Sequence, residues 1–281
     1  QKYVIESGLH WGEWCEPGVD GGKELVQPKQ ELTAAYMHYS MRLLAEMLRQ
    51  IGREEEAAQC GEYSQGAKKA YHYYFVKDGH INAPRQAPMV RALALGLLDG
   101  ETAESVAADL NADAIRRNYT VGTGFLSTPF VLSILVQYGY VDTAYKMLEN
   151  TVAPGWLAMV EQGATTVWEN CNGYDEEGHP VLQSMNHYSP GAVCAFLFET
   201  VCGIHVAGEN KFYIAPVSGG TLTEAEGSYD SPYGRVSCSW KKTEGKVCYS
   251  VAIPANTTAE VVLPGKAPVQ LESGNYEFLE E

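Results

Sequence analysis

The sequence predicts a mainly helical protein, a partial toroid of helical hairpins, followed by a small antiparallel β module. Three observations carry that expectation. Apolar and small residues recur with a period near 3.6 along much of the chain up to Gly203, short Gly-containing breaks separate those stretches at hairpin spacing, and after Gly208 the runs become short, β-branched and partly alternating. The first two helices are expected at Glu31–Arg49 and Glu54–Phe75, around a turn at Gly52. Shorter ones follow at Pro84–Leu98, Thr102–Arg117, Pro129–Tyr138 and Val141–Glu149, and Ser189–Gly203 closes the series. These stretches share no fixed length and no repeated motif, which argues against a helical repeat array and for a ring of inner and outer helices. Such rings gather their loops, and hence their active sites, at one end. The β module is read from Lys211–Ala215, Tyr233–Trp240, Lys246–Ile253 and Thr257–Val262, as a sandwich or barrel of about seventy residues. Two domains follow, residues 1–207 and 208–281.

Charge and cysteine usage narrow the classes of function. Among 281 residues, 35 Asp and Glu outnumber 20 Lys and Arg for a net charge of −15, and the cations stand as isolated pairs such as Lys68-Lys69, Arg116-Arg117 and Lys241-Lys242. That balance repels a phosphate backbone, so no nucleic-acid partner is expected. No apolar run has the length of a membrane span, so no membrane partner is expected either. The seven cysteines show no C-x-x-C and no metal-ligand spacing, and their odd number argues against a complete disulfide framework, which fits a cytoplasmic setting. Cys194 and Cys202, on an apolar helical stretch, read as small core residues. Dinucleotide-binding, P-loop, zincin and nucleophile-elbow motifs are all missing, so neither a cofactor nor a metal is expected.

The chemistry concentrates in Gly163-Ala-Thr-Thr-Val-Trp-Glu169 and in Asn186-His187-Tyr188, with His187 eighteen residues after Glu169. A carboxylate, an indole, an imidazole and a phenol in one short stretch are what a sugar-processing pocket uses. Glycosidic hydrolysis needs one protonated carboxyl for the leaving oxygen and a second carboxylate as base or nucleophile. Glu169, in a Gly- and Thr-rich segment that breaks the helical pattern, suits one of these roles, with Trp168 beside it as an apolar platform. The plainer account of Glu169 is a carboxylate holding a loop through backbone hydrogen bonds. His187 precedes Ser189-Pro190, a helix-starting pair, and either meets a sugar hydroxyl or sits as a capping or core-edge histidine. The segment from His10 to Gly18 carries Trp11, Glu13, Trp14 and Glu16 with little secondary-structure signal, a composition shared by carbohydrate-binding loops and by rigid surface plugs. In Thr123–Pro129 a glycine permits close approach, and Arg85-Gln86 stands near a helix start.

Taken in order, Trp11-Gly-Glu-Trp14, Thr123-Gly-Phe-Leu-Ser-Thr-Pro129, Asp142-Thr-Ala-Tyr-Lys-Met-Leu148, Gly163-Ala-Thr-Thr-Val-Trp-Glu169, Ser184-Met-Asn-His-Tyr188 and Tyr233-Gly-Arg-Val-Ser-Cys-Ser-Trp240 resemble the carboxy-terminal half of the bacterial α-L-rhamnosidases of glycoside hydrolase family 78. The resemblance covers nearly the whole chain. It implies part of an (α/α)6 toroid followed by a β-sandwich, and inverting cleavage of terminal α-L-rhamnose from rhamnosylated glycosides or oligosaccharides. It also implies Glu169 as general base, with Glu13, Trp11, Trp14, Trp168 and His187 around the sugar. Glu13 stands where the family carries aspartate, Ser127 where glycine is usual, Gly155 where serine is usual, and Asn170-Cys171 where an aromatic often follows the base. The family's general acid lies in an upstream Asp- and Arg-rich motif with no counterpart here. The chain is therefore expected to be a fragment of a larger bacterial enzyme, partnered by the upstream half of the same polypeptide and inactive alone. Another (α/α)6 glycosidase acting on a different sugar, or a carbohydrate-binding piece without catalysis, is the alternative.

Overall fold

The computed structural model describes residues 3–7, 11–19, 29–83, 85–175, 177–181 and 183–279. His10 and Pro84 lie outside them. The chain forms two compact units, Gln1–Gly191 and Ala192–Glu281. No described helix is long and apolar enough to cross a membrane.

The first unit is built of helical hairpins. Helices α1 (Gln30–Gln50) and α2 (Glu54–Phe75) turn at Gly52, whose φ of +73° is the left-handed conformation that glycine adopts without penalty. Their facing surfaces are small, with Ala34, Ala35 and Ala45 buried on α1 and Ala57, Ser64 and Ala67 on α2. Helix α3 (Gln86–Ala94) is buried from Gln86 through Leu93, as an inner helix must be. Helix α4 (Gly100–Arg116) buries the stripe Ala103, Val106, Ala107, Leu110 and Ala114 together with Asp113, and leaves its other face to solvent. The next hairpin pairs α5 (Val131–Gln137) with α6 (Val141–Leu148), followed by α7 (Trp156–Glu161). The sequence pattern did not predict α7, because six residues are too few to display a helical period. A small hairpin of β1 (Val76–Lys77) and β2 (His80–Ile81) links α2 to α3. The single helix expected over Ser189–Gly203 is three short pieces: α8 (Tyr188–Gly191), which ends the first unit, and α9 (Val193–Ala195) and a π-helical turn, Phe196–Val201, which belong to the second.

Between α1 and α2, buried His38 places Nδ1 3.1 Å from the Ser64 carbonyl, while the Ser64 hydroxyl donates to the His38 carbonyl. With the proton on Nδ1, Nε2 is a bare lone pair, and it makes no hydrogen bond among the described residues. Burial holds this imidazole below its ordinary titration range, Lys68 and Arg42 push the same way, and backbone carbonyls of Ser64 and Gly96 oppose them. The unfolded chain therefore takes up the proton first, so stability is fully present above about pH 6.5 and declines as the pH falls through it. Urea midpoints measured across that window are expected to fall, and His38→Gln to flatten the slope.

The second unit holds two four-stranded sheets, in the orders β10-β7-β6-β5 and β3-β4-β8-β9. The strands are β3 (Ile204–Gly208), β4 (Lys211–Ile214), β5 (Glu224–Ser231), β6 (Gly234–Thr243), β7 (Lys246–Ile253), β8 (Thr258–Val261), β9 (Val269–Leu271) and β10 (Gly274–Leu279). Period-2 alternation buries Val236, Cys238 and Trp240 on β6 and Val247, Tyr249, Val251 and Ile253 on β7, with Trp240 paired to Tyr249. Ile204, Phe212, Ile214, Ala259 and Val261 supply the buried face of the other sheet. The Trp240 indole N–H donates to the Val201 carbonyl at 2.7 Å. Pairing is antiparallel except between β4 and β8, which run parallel because the chain leaves β4 to build β5, β6 and β7 and returns beside it. Strand β5 was not legible in advance: its Glu-Ala-Glu-Gly-Ser-Tyr-Asp-Ser composition is poor in strand formers, and Gly227 is needed where a Cβ would meet the Cys202 side chain at 2.8 Å.

Candidate active site

Backbone pairing brings the two chemistry-bearing motifs together. Glu169 N–H donates to the Ser184 carbonyl at 2.9 Å and His187 N–H to the Val167 carbonyl at 2.8 Å, so residues 167–169 lie beside 184–187. The Thr166 hydroxyl donates to the Met185 carbonyl. The Glu169 side chain closes the motif, its Oε2 accepting the Ser184 N–H at 2.8 Å. Its Oε1 faces the Cys15 thiol, which donates at 3.7 Å across 154 positions of sequence.

Cys15 reaches that point because the loop over residues 11–19 packs onto the Thr123–Pro129 turn. The Phe125 N–H donates to the Trp14 carbonyl at 2.8 Å. A Cβ at Gly124 would stand 2.4 Å from the same oxygen, so only glycine admits the loop backbone. Beneath it Glu13 is anchored by Ser127, whose N–H donates to Oε1 at 2.8 Å and whose hydroxyl donates to Oε2 at 2.9 Å. Glutamate for aspartate and serine for glycine, separate departures in sequence, are thus partners in space. Glu13 is also ion-paired with Arg91, which bonds Glu31, and the Tyr71 hydroxyl donates to Glu31 at 2.7 Å. Burial drives the Glu13 carboxyl above the usual range, with Arg91 and Ser127 opposing it.

A cavity of about 520 Å³ opens between these segments, lined among others by Trp14, Cys15, Glu16, Phe125, Trp156 and Glu169. Of the sequence-predicted residues, Glu169 and Trp14 are on its wall, and Trp11, Glu13, Trp168 and His187 are each one contact behind it. Trp11 is 66% exposed and meets Trp14 edge to face, with ring centroids 4.9 Å apart. Trp168 is only 3% exposed, with its amide on the Met159 sulfur at 3.3 Å and its ring packed so closely under Gly173 that a Cβ there would clash. His187 stacks between Phe125, at 4.2 Å, and Tyr188, at 4.8 Å. Ser189 N–H donates to His187 Nδ1 at 3.2 Å, so the neutral ring carries its proton on Nε2. The Ser189 hydroxyl donates to the Phe125 carbonyl at 2.7 Å instead of capping the helix.

Sequence reasoning did not single out Glu16 as a site residue. It lies on the cavity wall, buried, with Oε2 3.0 Å from the Arg85 guanidinium. The available signal was its position three residues after Glu13 in the same indole-rich loop. Gln86, beside Arg85, braces the turn instead, accepting the Gly122 N–H at 2.6 Å. Gly155 and Cys171, two further departures from the family pattern, also line the cavity.

Inner and outer helical hairpins, with their loops converging on a carboxylate-bearing, aromatic-walled cavity, define the six-hairpin class of glycosidase domain. The chain belongs to the bacterial α-L-rhamnosidase family: residues 2–201 match its 6 hairpin glycosidase domain and residues 206–277 its C-terminal domain. It is 32% identical over 285 aligned residues to an α-L-rhamnosidase of Formosa agariphila, covering 99% of this chain and 31% of that protein. To one of Streptomyces avermitilis it is 30% identical over 258 residues, 90% of this chain and 25% of that one. Among solved structures, that of an α-L-rhamnosidase from Aspergillus terreus is similar with a TM-score of 0.91 at 30% identity, over 97% of this chain and 33% of the other. The Streptomyces avermitilis enzyme complexed with L-rhamnose is similar with a TM-score of 0.90 at 25% identity, over 100% and 29% of the two chains. The chain thus spans between a quarter and a third of the length of these relatives.

Proposed function

We propose that the protein acts in the inverting hydrolysis of terminal α-L-rhamnose from rhamnosides, with Glu169 as the general base that deprotonates the attacking water. The observation that carries this reading is the setting of Glu169, a carboxylate on the wall of an aromatic-lined cavity with one oxygen held by a backbone N–H. Such a donor fixes one oxygen and leaves the other turned to the cavity, the placement that a base requires. The rhamnose complex of the Streptomyces avermitilis relative supports the choice of sugar. Trp14 forms an apolar wall, Trp11 extends that aromatic surface, and His187 supports the sugar pocket from behind by packing against Phe125 of its wall. Trp168 and Glu13 serve the sugar pocket from behind, the first by backing Met159 and the second by anchoring the loop that carries Trp14 and Cys15.

An inverting enzyme needs a protonated acid roughly 6.5–9.5 Å from the base. Glu16 shares the cavity, but its carboxylate is engaged by the Arg85 guanidinium at 3.0 Å. The acid is assigned instead to the upstream part of the same polypeptide, and the 281-residue chain by itself is not expected to turn over. Another (α/α)6 glycosidase activity on a different sugar is the second reading, since Gly155 and Cys171, two departures from the family pattern, both line the cavity.

Hydrolysis of an aryl α-L-rhamnoside by the full-length protein, followed by proton NMR, tests the proposal. The first-formed sugar should be β-L-rhamnose. Release of the α anomer first, or no hydrolysis, would overturn the reading, and turnover by the isolated chain would remove the assignment of the acid.

A further inference from the structure

Both oxygens of Glu169 have donors, and the two are unequal. Oε2 takes a backbone N–H at 2.8 Å, while Oε1 takes, among the described residues, only the Cys15 S–H at 3.7 Å. A thiol is a weak donor, so Oε1 keeps most of its capacity to accept. Cys15 is held to this role by its backbone, whose φ of +59° is costly for any residue with a Cβ and is maintained by the flanking Trp14–Phe125 hydrogen bond and the close approach at Gly124.

We infer that Cys15 is a positioning residue for the general base, its S–H orienting Glu169 and leaving Oε1 as the oxygen that takes the proton from water. This inference rests on the reading of Glu169 given above. Burial, reinforced by the adjacent Glu169 carboxylate, pushes the Cys15 thiol up to about 11, so the S–H persists through the neutral range. The other titratable groups on the same cavity wall are Glu16, neutralised by Arg85, and Cys171, whose thiol burial also pushes up. Serine at position 15 would bring a stronger donor, compete with water for Oε1 and stabilise the carboxylate; alanine would bring none.

The two substitutions therefore act in opposite directions. In the full-length protein, the acidic limb of the kcat/KM profile on an aryl α-L-rhamnoside should move down in Cys15→Ser and up in Cys15→Ala. KM should change little in either. Three superimposable limbs, or both variants displaced the same way, would overturn the inference. Both variants keep a Cβ at this strained position, and unfolding melts identify one that fails to fold, in which case the other limb decides. Superimposable limbs beside an inactive Glu169→Gln enzyme would sink the role of Cys15 alone, whereas an active Glu169→Gln enzyme would sink the reading beneath it.

Discussion

Glu169→Gln in the full-length protein is expected to lower kcat by at least about a hundredfold while KM stays near that of the wild type. Glutamine has the shape of glutamate and its amide oxygen still accepts the Ser184 N–H, so the pairing of residues 167–169 with 184–187 should survive. What it lacks is a site for the proton from water, and that transfer occurs only on the way to the transition state. Steady-state kinetics on an aryl α-L-rhamnoside, with calorimetric binding of L-rhamnose as a control, separate the two effects. Activity within a few-fold of wild type would remove Glu169 as the base.

The second large effect is expected at Arg91, far from any proton transfer. Its guanidinium is 3% exposed and bonds Glu13 on one side and Glu31 on the other, with Ser127 and Tyr71 completing the network. Burial already holds Glu13 above the usual carboxylate range despite this partner. Arg91→Met would leave two carboxylates desolvated and uncompensated, a loss of about 3–5 kcal/mol by analogy with other broken buried pairs. Lysine would retain the charge but not the fork that reaches both acids, so Arg91→Lys should recover only part of the loss. Urea unfolding reads both values. A change below about 1 kcal/mol in Arg91→Met would mean that the network contributes little to holding the loop over residues 11–19.

The long helices were legible because amphipathic periodicity over 20 residues is unambiguous, and α1, α2 and α4 fall within a few residues of expectation. Strand β7 was legible for the same reason with a period of two. Elements with weak local signals were not: α7 is too short, β5 too polar, and Phe196–Val201 changes to π-helical pairing inside a segment that reads as one α-helix. The ordered motifs pointed to the family, and their residue types to carbohydrate chemistry. They did not show which side chains border open space.

Composition, periodicity and motif order by themselves determined a helical-hairpin unit and a β unit after it, and pointed to Glu169 and Glu13 as the carboxylates of interest. Only the tertiary structure decided that Cys15 meets that carboxylate, that Glu16 shares its cavity, and that Glu13, Trp168 and His187 stand one contact behind the wall. The reason is physical. Local pattern reflects interactions within a few residues along the chain, whereas the site is assembled across 154 positions by a loop whose path depends on a glycine contact and a buried ion pair that no local pattern encodes.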